Sequence, residues 1–136
     1  MSDKVTLDFV TISQALKNVQ LPPVDCVVGI AEGGIVPAAL LAHQLALPLQ
    51  LLWINYRAPD NSPRRSAPEL LVENVPLLPD GARILLVDDV SVSGQTLSLA
   101  RSLLKQYEVV TFTLKGQADF VLFPEIAACV NWPWKA

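Results

Sequence analysis

The chain has 136 residues, 51% of them hydrophobic and 17% charged, with a formal net charge of −3 at pH 7. That is room for one domain, 1–136, and too apolar a composition for a disordered or solvating chain. The acidic balance gives no electrostatic basis for nucleic-acid binding, which rests on many Lys and Arg contacts to phosphates.

Met1 to Asp8 lacks the apolar region of a signal peptide, so a cytoplasmic protein is expected. Phe9, Ile12, Leu16 and Val19 fall at helical spacing and predict an amphipathic helix from about Asp8 to Asn18, stopped by Leu21-Pro22-Pro23. Cys26 to Ile30 reads as a buried strand, followed by Ala31-Glu32-Gly33-Gly34. Ile35 to Ala46 is apolar on nearly every face, with Pro37 tolerable in the first turn, and predicts a buried helix. Leu49 to Asn55 is a second strand. No Asp, Glu, Lys or Arg occurs from Gly33 to Tyr56. Pro37 and Pro48 divide that stretch, and His43, Gln44, Gln50 and Asn55 interrupt it, so it reads as core rather than membrane span.

Tyr56 to Glu69, with three prolines and Arg57, Arg64 and Arg65, reads as a long exposed loop. Leu70 to Leu78 is ambiguous between strand and turn. Pro79-Asp80-Gly81 turns the chain into a third strand, Arg83 to Val87. Leu97 to Gln106 is helical, with Leu97, Ala100, Leu103 and Leu104 inward and Ser98, Arg101 and Lys105 outward. Val109 to Leu114 is a fourth strand. Phe120 to Phe123 and Ile126 to Val130 read as short strands of a C-terminal flap. Cys26 and Cys129 lack metal-site spacing and read as buried thiols. His43 reads as a packed or edge residue.

Strands alternate with helices, and the strands are apolar throughout. This predicts an α/β fold with a parallel sheet flanked by helices. Ligands of such sheets bind beyond the carboxyl ends of the strands. The chemistry is therefore expected in Ala31–Gly34, Asn55–Glu69, Asp88–Thr96 and the region after Leu114.

The strongest signal is Ile84-Leu85-Leu86-Val87-Asp88-Asp89-Val90-Ser91-Val92-Ser93-Gly94-Gln95-Thr96-Leu97. Two carboxylates end a buried strand, and a loop of small and hydroxyl residues enters a helix. Asp88 and Asp89 can each hold a sugar hydroxyl or a hydrated cation. Val90 to Thr96 offers backbone N–H groups at a helix start plus the hydroxyls of Ser91, Ser93 and Thr96, an anion cradle suited to phosphate. Gly94 permits close backbone approach. Neither a Walker A lysine nor G-x-G-x-x-G occurs. Other readings of the acid pair are a helix cap, a receiver site, or a phosphatase-like site. A receiver's pair follows its first strand, whereas two strands precede this one; a haloacid-dehalogenase site wants Asp-x-Asp. Acids for a diol beside a monophosphate cradle describe a site for a ribose 5-phosphate group.

Here the chain resembles the type I phosphoribosyltransferases, nearest their xanthine-guanine/hypoxanthine branch. Four apolar residues, two acids, a short loop and Gly-x-Thr form that family's signature for phosphoribosyl pyrophosphate, and Ile84 to Thr96 is similar to it. Val28 to Ala38 resembles the pyrophosphate loop, which implies pyrophosphate contacts from Ala31, Glu32, Gly33, Gly34 and Arg57. Residues 56–69 sit where the family carries a mobile catalytic loop. Lys115 matches the lysine that purine-type members use for a 6-oxo group. Residues 116–136 resemble the base-binding hood, which implies base contacts from Lys115, Cys129, Val130 and Trp132. The resemblance implies transfer of ribose 5-phosphate to a nitrogenous base, purine-like favoured, with Mg²⁺ held by Asp88 and Asp89. It also implies a homo-oligomer, a dimer or tetramer.

Three positions depart from the pattern. Val92 stands where purine 6-oxo enzymes place an Asp, and valine exchanges no proton. Glu32 replaces the Arg or Lys before Gly-Gly. Cys129 stands at the stacking-Trp position of the hood. Glu32 also reads as a helix-start acid, Lys115 as a snorkelling strand-end lysine, the three arginines as a solvated loop, and the Trp residues as packing. The alternative that Glu32 and Val92 favour is a nucleotide- or phosphoribosyl pyrophosphate-binding regulator that kept the cradle and lost the chemistry. A phospho-acceptor module using Asp88 or Asp89 is a third.

Overall fold

The structure, a computed structural model, describes residues 4–55, 69–70 and 78–135. In chain order these form β1 (Val5–Thr6), α1 (Phe9–Asn18), β2 (Cys26–Ala31), α2 (Ile35–Leu45), β3 (Leu49–Asn55) and β4 (Glu69–Leu70). Then follow β5 (Arg83–Ser91), α3 (Gln95–Leu103), β6 (Glu108–Gly116), β7 (Phe120–Val121) and β8 (Val130–Asn131). The expected loop with Arg57, Arg64 and Arg65 lies outside the described residues, as does most of Leu70–Leu78.

Six strands form one sheet in the order β4-β3-β2-β5-β6-β7. All neighbours are parallel except β4, which runs antiparallel on β3. Every residue of β2 is buried, as a central strand covered on both faces requires. Side chains alternate across it. Val27, Leu85, Val87, Phe112 and Leu114 pack with Ile12 and Leu16 of α1 and Ala38, Leu41 and Ala42 of α2. Cys26, Val28, Ile30, Ile84 and Leu86 pack on the other face with Leu97 and Ala100 of α3 and with Leu104. Each large side chain so buried contributes about 1.5–3 kcal/mol relative to exposure.

Helix α1 starts where the sequence places it, because Asp8 accepts a hydrogen bond from Thr11 N–H at 2.7 Å and caps the first turn. Phe9, expected inward, is 43% exposed and instead meets the edge of Trp134, ring centroids 6.1 Å apart. Helix α2 is buried on one face only. Pro37, Ala38, Leu41 and Ala42 face the core, Ile35, Val36, Ala39 and Leu40 are half-buried, and His43 is exposed.

Strand β5 runs four residues past its expected end. The ladder continues through Asp88↔Thr113, Val90↔Lys115 and Ser91↔Gly116, so the acid pair lies within the strand rather than after it. Hydropathy stops at the first charge, whereas strand pairing is a backbone matter. The flap reading also needs correction. Phe120–Val121 joins the main sheet beside β6, and Val130–Asn131 pairs with Val5–Thr6 in a separate two-stranded sheet. Of the two thiols expected inside, Cys26 is buried but Cys129 is exposed. Among the described residues no helix is long and apolar enough to cross a membrane.

Candidate active site

Strands β2 and β5 are neighbours in register, and each leads at its carboxyl end toward a helix start. After Ala31, the Glu32-Gly33-Gly34 turn enters α2, with Gly34 N–H donating to the Ile30 carbonyl at 2.7 Å. The Ala31–Glu32 peptide is cis. A Cβ on Gly34 would stand 2.5 Å from the Val87 carbonyl oxygen, and one on Gly33 2.6 Å from Asp89 Oδ2. Only glycine lets this turn lie so close to the acid pair. The Glu32 side chain is exposed.

Asp88 and Asp89 are each only 8% exposed. As consecutive strand residues they point to opposite faces. Asp88 takes the face of Leu86, beside Thr113 in register; Asp89 takes the face of Val87, against Gly33. Asp89 N–H donates to Asp88 Oδ1 at 2.8 Å, and Val90 N–H to Asp89 Oδ1 at 2.7 Å. Burial first, and then the adjoining Asp89 charge, holds the Asp88 carboxyl well above the usual carboxylate range. Two buried hydroxyls close to the pair, Ser91 Oγ and Thr113 Oγ1, have no hydrogen-bond partner.

Past Ser91 the chain bends through Val92, Ser93 and Gly94. Gly94 adopts φ +80° as the N-cap of α3, a conformation other residues rarely accept. No side chain caps this helix; Gln95 N–H donates to Ser93 Oγ at 3.3 Å, and Ser98 N–H to the Gly94 carbonyl at 2.9 Å. Helix α2 likewise begins at a glycine, Gly34, without a side-chain cap. The capped helix, α1, is the one that does not follow a strand of the main sheet. In α2 Ile35 N–H donates to the Glu32 carbonyl at 3.0 Å and Pro37 has no N–H, so the start of α3, with Thr96 and Leu97 N–H open, is the better placed of the two to receive an anion.

Val92 is 69% exposed, with Ser93 and Gln95 also exposed and Val90 and Thr96 half-buried. Half-buried Lys115 pairs with Val90 at the end of β6, and Gln117 N–H donates to the Ser91 carbonyl at 3.0 Å. Arg101 Nη2 and Thr111 N–H both donate to Asp119 Oδ2 at 2.9 Å, which ties α3 to the connection after β6.

The hood residues are placed differently. Cys129 is exposed, Val130 is paired with Val5, and Trp132 is 4% exposed within the core. Trp132 stacks on Trp134 with centroids 5.4 Å apart and planes 4° from parallel. What joins this segment to the acid pair is Lys135, with Nζ 3.3 Å from Asp89 Oδ2. Sequence reasoning missed Lys135 and Thr113. A Trp-Pro-Trp-Lys run signals a turn, but nothing local aims it at Asp89.

The donors are of the kind Mg²⁺ takes. Asp88 with Thr113 Oγ1 on one face of the sheet, and Asp89 with Ser91 Oγ on the other, are hard oxygen donors, and Mg²⁺ takes one or two carboxylates, then water and substrate phosphates. Among the described residues no group of three or more His, Cys, Asp or Glu forms an all-protein metal cage.

Residues 12–114 match the family model for the phosphoribosyl transferase domain. The chain belongs to that family. Within the phosphoribosyl transferase match lie both glycine-capped turns and the acid pair, whereas Lys115, Cys129, Val130, Trp132 and Lys135 fall beyond it. The chain is 31% identical over 97 residues to a xanthine-guanine phosphoribosyltransferase of a Ruegeria species, covering 68% of this chain and 55% of that protein. It is 34% identical over 91 residues to the orotate phosphoribosyltransferase of Allorhizobium ampelinum, covering 67% and 35%. The match thus spans about half or less of each relative. The fold is similar to the purine phosphoribosyltransferase of Pyrococcus horikoshii, with TM-score 0.75, 24% identity, and coverage of 98% and 95%.

Proposed function

We propose that this phosphoribosyl transferase domain moves ribose 5-phosphate from phosphoribosyl pyrophosphate to a nitrogenous base, with a purine-like base favoured. The observation that carries this is the buried acid pair held between two glycine-capped helix starts. The xanthine-guanine relative supports a purine, and the orotate relative keeps a pyrimidine within the family's range.

Ser91 to Thr96 would anchor the 5-phosphate through free N–H groups and hydroxyls, lending remote binding energy to orientation. Ala31 to Gly34 would receive the pyrophosphate, with Arg57 as a further contact. Asp88 and Asp89 would hold the ribose diol and stabilise positive charge developing at its anomeric carbon. Mg²⁺, held by the same acids, would neutralise the leaving pyrophosphate. The bond from C1 to the pyrophosphate oxygen breaks, a bond from C1 to a base nitrogen forms, and the base proton leaves to water. Val92 has no group to take it. Lys115, Cys129 and Val130 would face the base; Trp132, expected beside them, is 4% exposed in the core and stacked on Trp134, and would back that wall without touching the base. The setting we propose is a cytoplasmic dimer or tetramer.

A mass-spectrometric screen of purines, pyrimidines and related bases, with donor and Mg²⁺, tests the reading. The expected result is a donor-dependent ribonucleotide from at least one base, lost in Asp88→Asn. Tight nucleoside monophosphate binding without product across the panel would replace it with the regulator.

A further inference from the structure

We propose that Lys135 is a tethered counter-ion of the acid pair, occupying Asp89 until a divalent cation displaces it. This rests on reading Asp88 and Asp89 as cation-binding acids. The ammonium lies 3.3 Å from Asp89 Oδ2, and it reaches a nearly buried carboxylate from solvent: the Asp89 side chain is 11% exposed and that of Lys135 57%. Asp89 therefore has little water to compensate its charge, whereas the Lys135 side chain is mostly in solvent already.

The approach is built into the chain. Lys135 N–H donates to the Trp132 carbonyl at 3.1 Å and closes a four-residue turn with Pro133 second, where its fixed φ suits the bend. Trp132 anchors that turn in the core and stacks on Trp134, which in turn meets Phe9. The lysine is thus delivered from a fixed base on a flexible stem, to the Gly33 side of the strand and onto Asp89. A hard divalent cation such as Mg²⁺ needs direct access to a carboxylate oxygen. An ammonium already beside that oxygen competes for the same charge, and its removal leaves Asp89 open to the metal.

Mn²⁺ binding to the full chain without donor, read by electron paramagnetic resonance, tests the competition. Lys135→Met is expected to tighten Mn²⁺ binding about two- to fivefold, the scale of an ion pair with one exposed partner. Lys105→Met removes the same charge from the exposed turn after α3 and is expected to leave Mn²⁺ binding unchanged. In an Asp89→Asn background the gain from Lys135→Met should vanish. The proposal is overturned if Lys135→Met binds Mn²⁺ no more tightly than the natural chain, or if Lys105→Met reproduces the gain. If Asp89→Asn weakens Mn²⁺ binding while Lys135→Met changes nothing, the lysine's role alone falls. If Asp89→Asn also binds Mn²⁺ unchanged, the acid-pair reading falls with it.

Discussion

Gly33 lies against the carboxylate of Asp89, where a Cβ would stand 2.6 Å from Oδ2. The turn after β2 and the acids of β5 therefore form one continuous wall, and the size of one residue sets the position of the other.

Substitution separates the two glycines of that turn. In Gly33→Ala the new methyl meets the far end of a side chain, which can swing away. The melting temperature should shift little, while donor affinity by calorimetry falls about tenfold or more through the misplaced acid. In Gly34→Ala the methyl meets the backbone oxygens of Val87 and Ile30 at 2.5 and 2.7 Å, which cannot yield. That variant should lose about 1–3 kcal/mol in urea unfolding. Equal destabilisation by both would refute the distinction.

Val92 is 69% exposed in the bend before α3, so Val92→Asp removes little packing and adds an acid where the resemblance to purine 6-oxo enzymes implies one. Turnover of 6-oxopurines should rise about 100-fold, the low end of what general acid–base help usually supplies. No rise, in a variant that still binds donor, would count against placing the base over this bend.

Burial, with the Asp89 charge, raises the Asp88 carboxyl above its ordinary value of 3.8, so the folded protein holds this proton more tightly than the unfolded chain. The stability it contributes is full below 3.8 and is lost as pH rises through the folded value. Urea unfolding of metal-free protein should show natural-chain stability declining relative to Asp88→Asn over that window, by up to about 1.4 kcal/mol per pH unit. A difference independent of pH would show that Asp88 does not titrate this way.

The two thiols should be distinguishable by reagent. Cys129 is exposed; Cys26 is buried, and burial, then the Asp25 charge, pushes its thiol up. An aromatic disulfide reagent should label one thiol in the native protein and both in denaturant. Rapid labelling of both in native protein would contradict the burial of Cys26.

The sequence by itself determined the features set by neighbours along the chain. Asp8 caps α1, Cys26 opens a fully buried strand, Leu49–Asn55 has the bounds its apolar run predicts, and the acid pair stands out by its pattern. These depend on each residue's own demand for burial or a nearby hydrogen bond. Tertiary structure decided the rest. β1 pairs with β8 although Val5 and Val130 lie at opposite ends of the chain, because two residues carry too weak a periodic signal and their ladder bonds are backbone bonds. Phe9 faces Trp134 rather than the sheet, Cys129 stays outside, and Lys135 meets Asp89. Contacts between distant segments are selected by which surfaces and charges the folded backbone brings within reach, and local pattern carries no record of that choice.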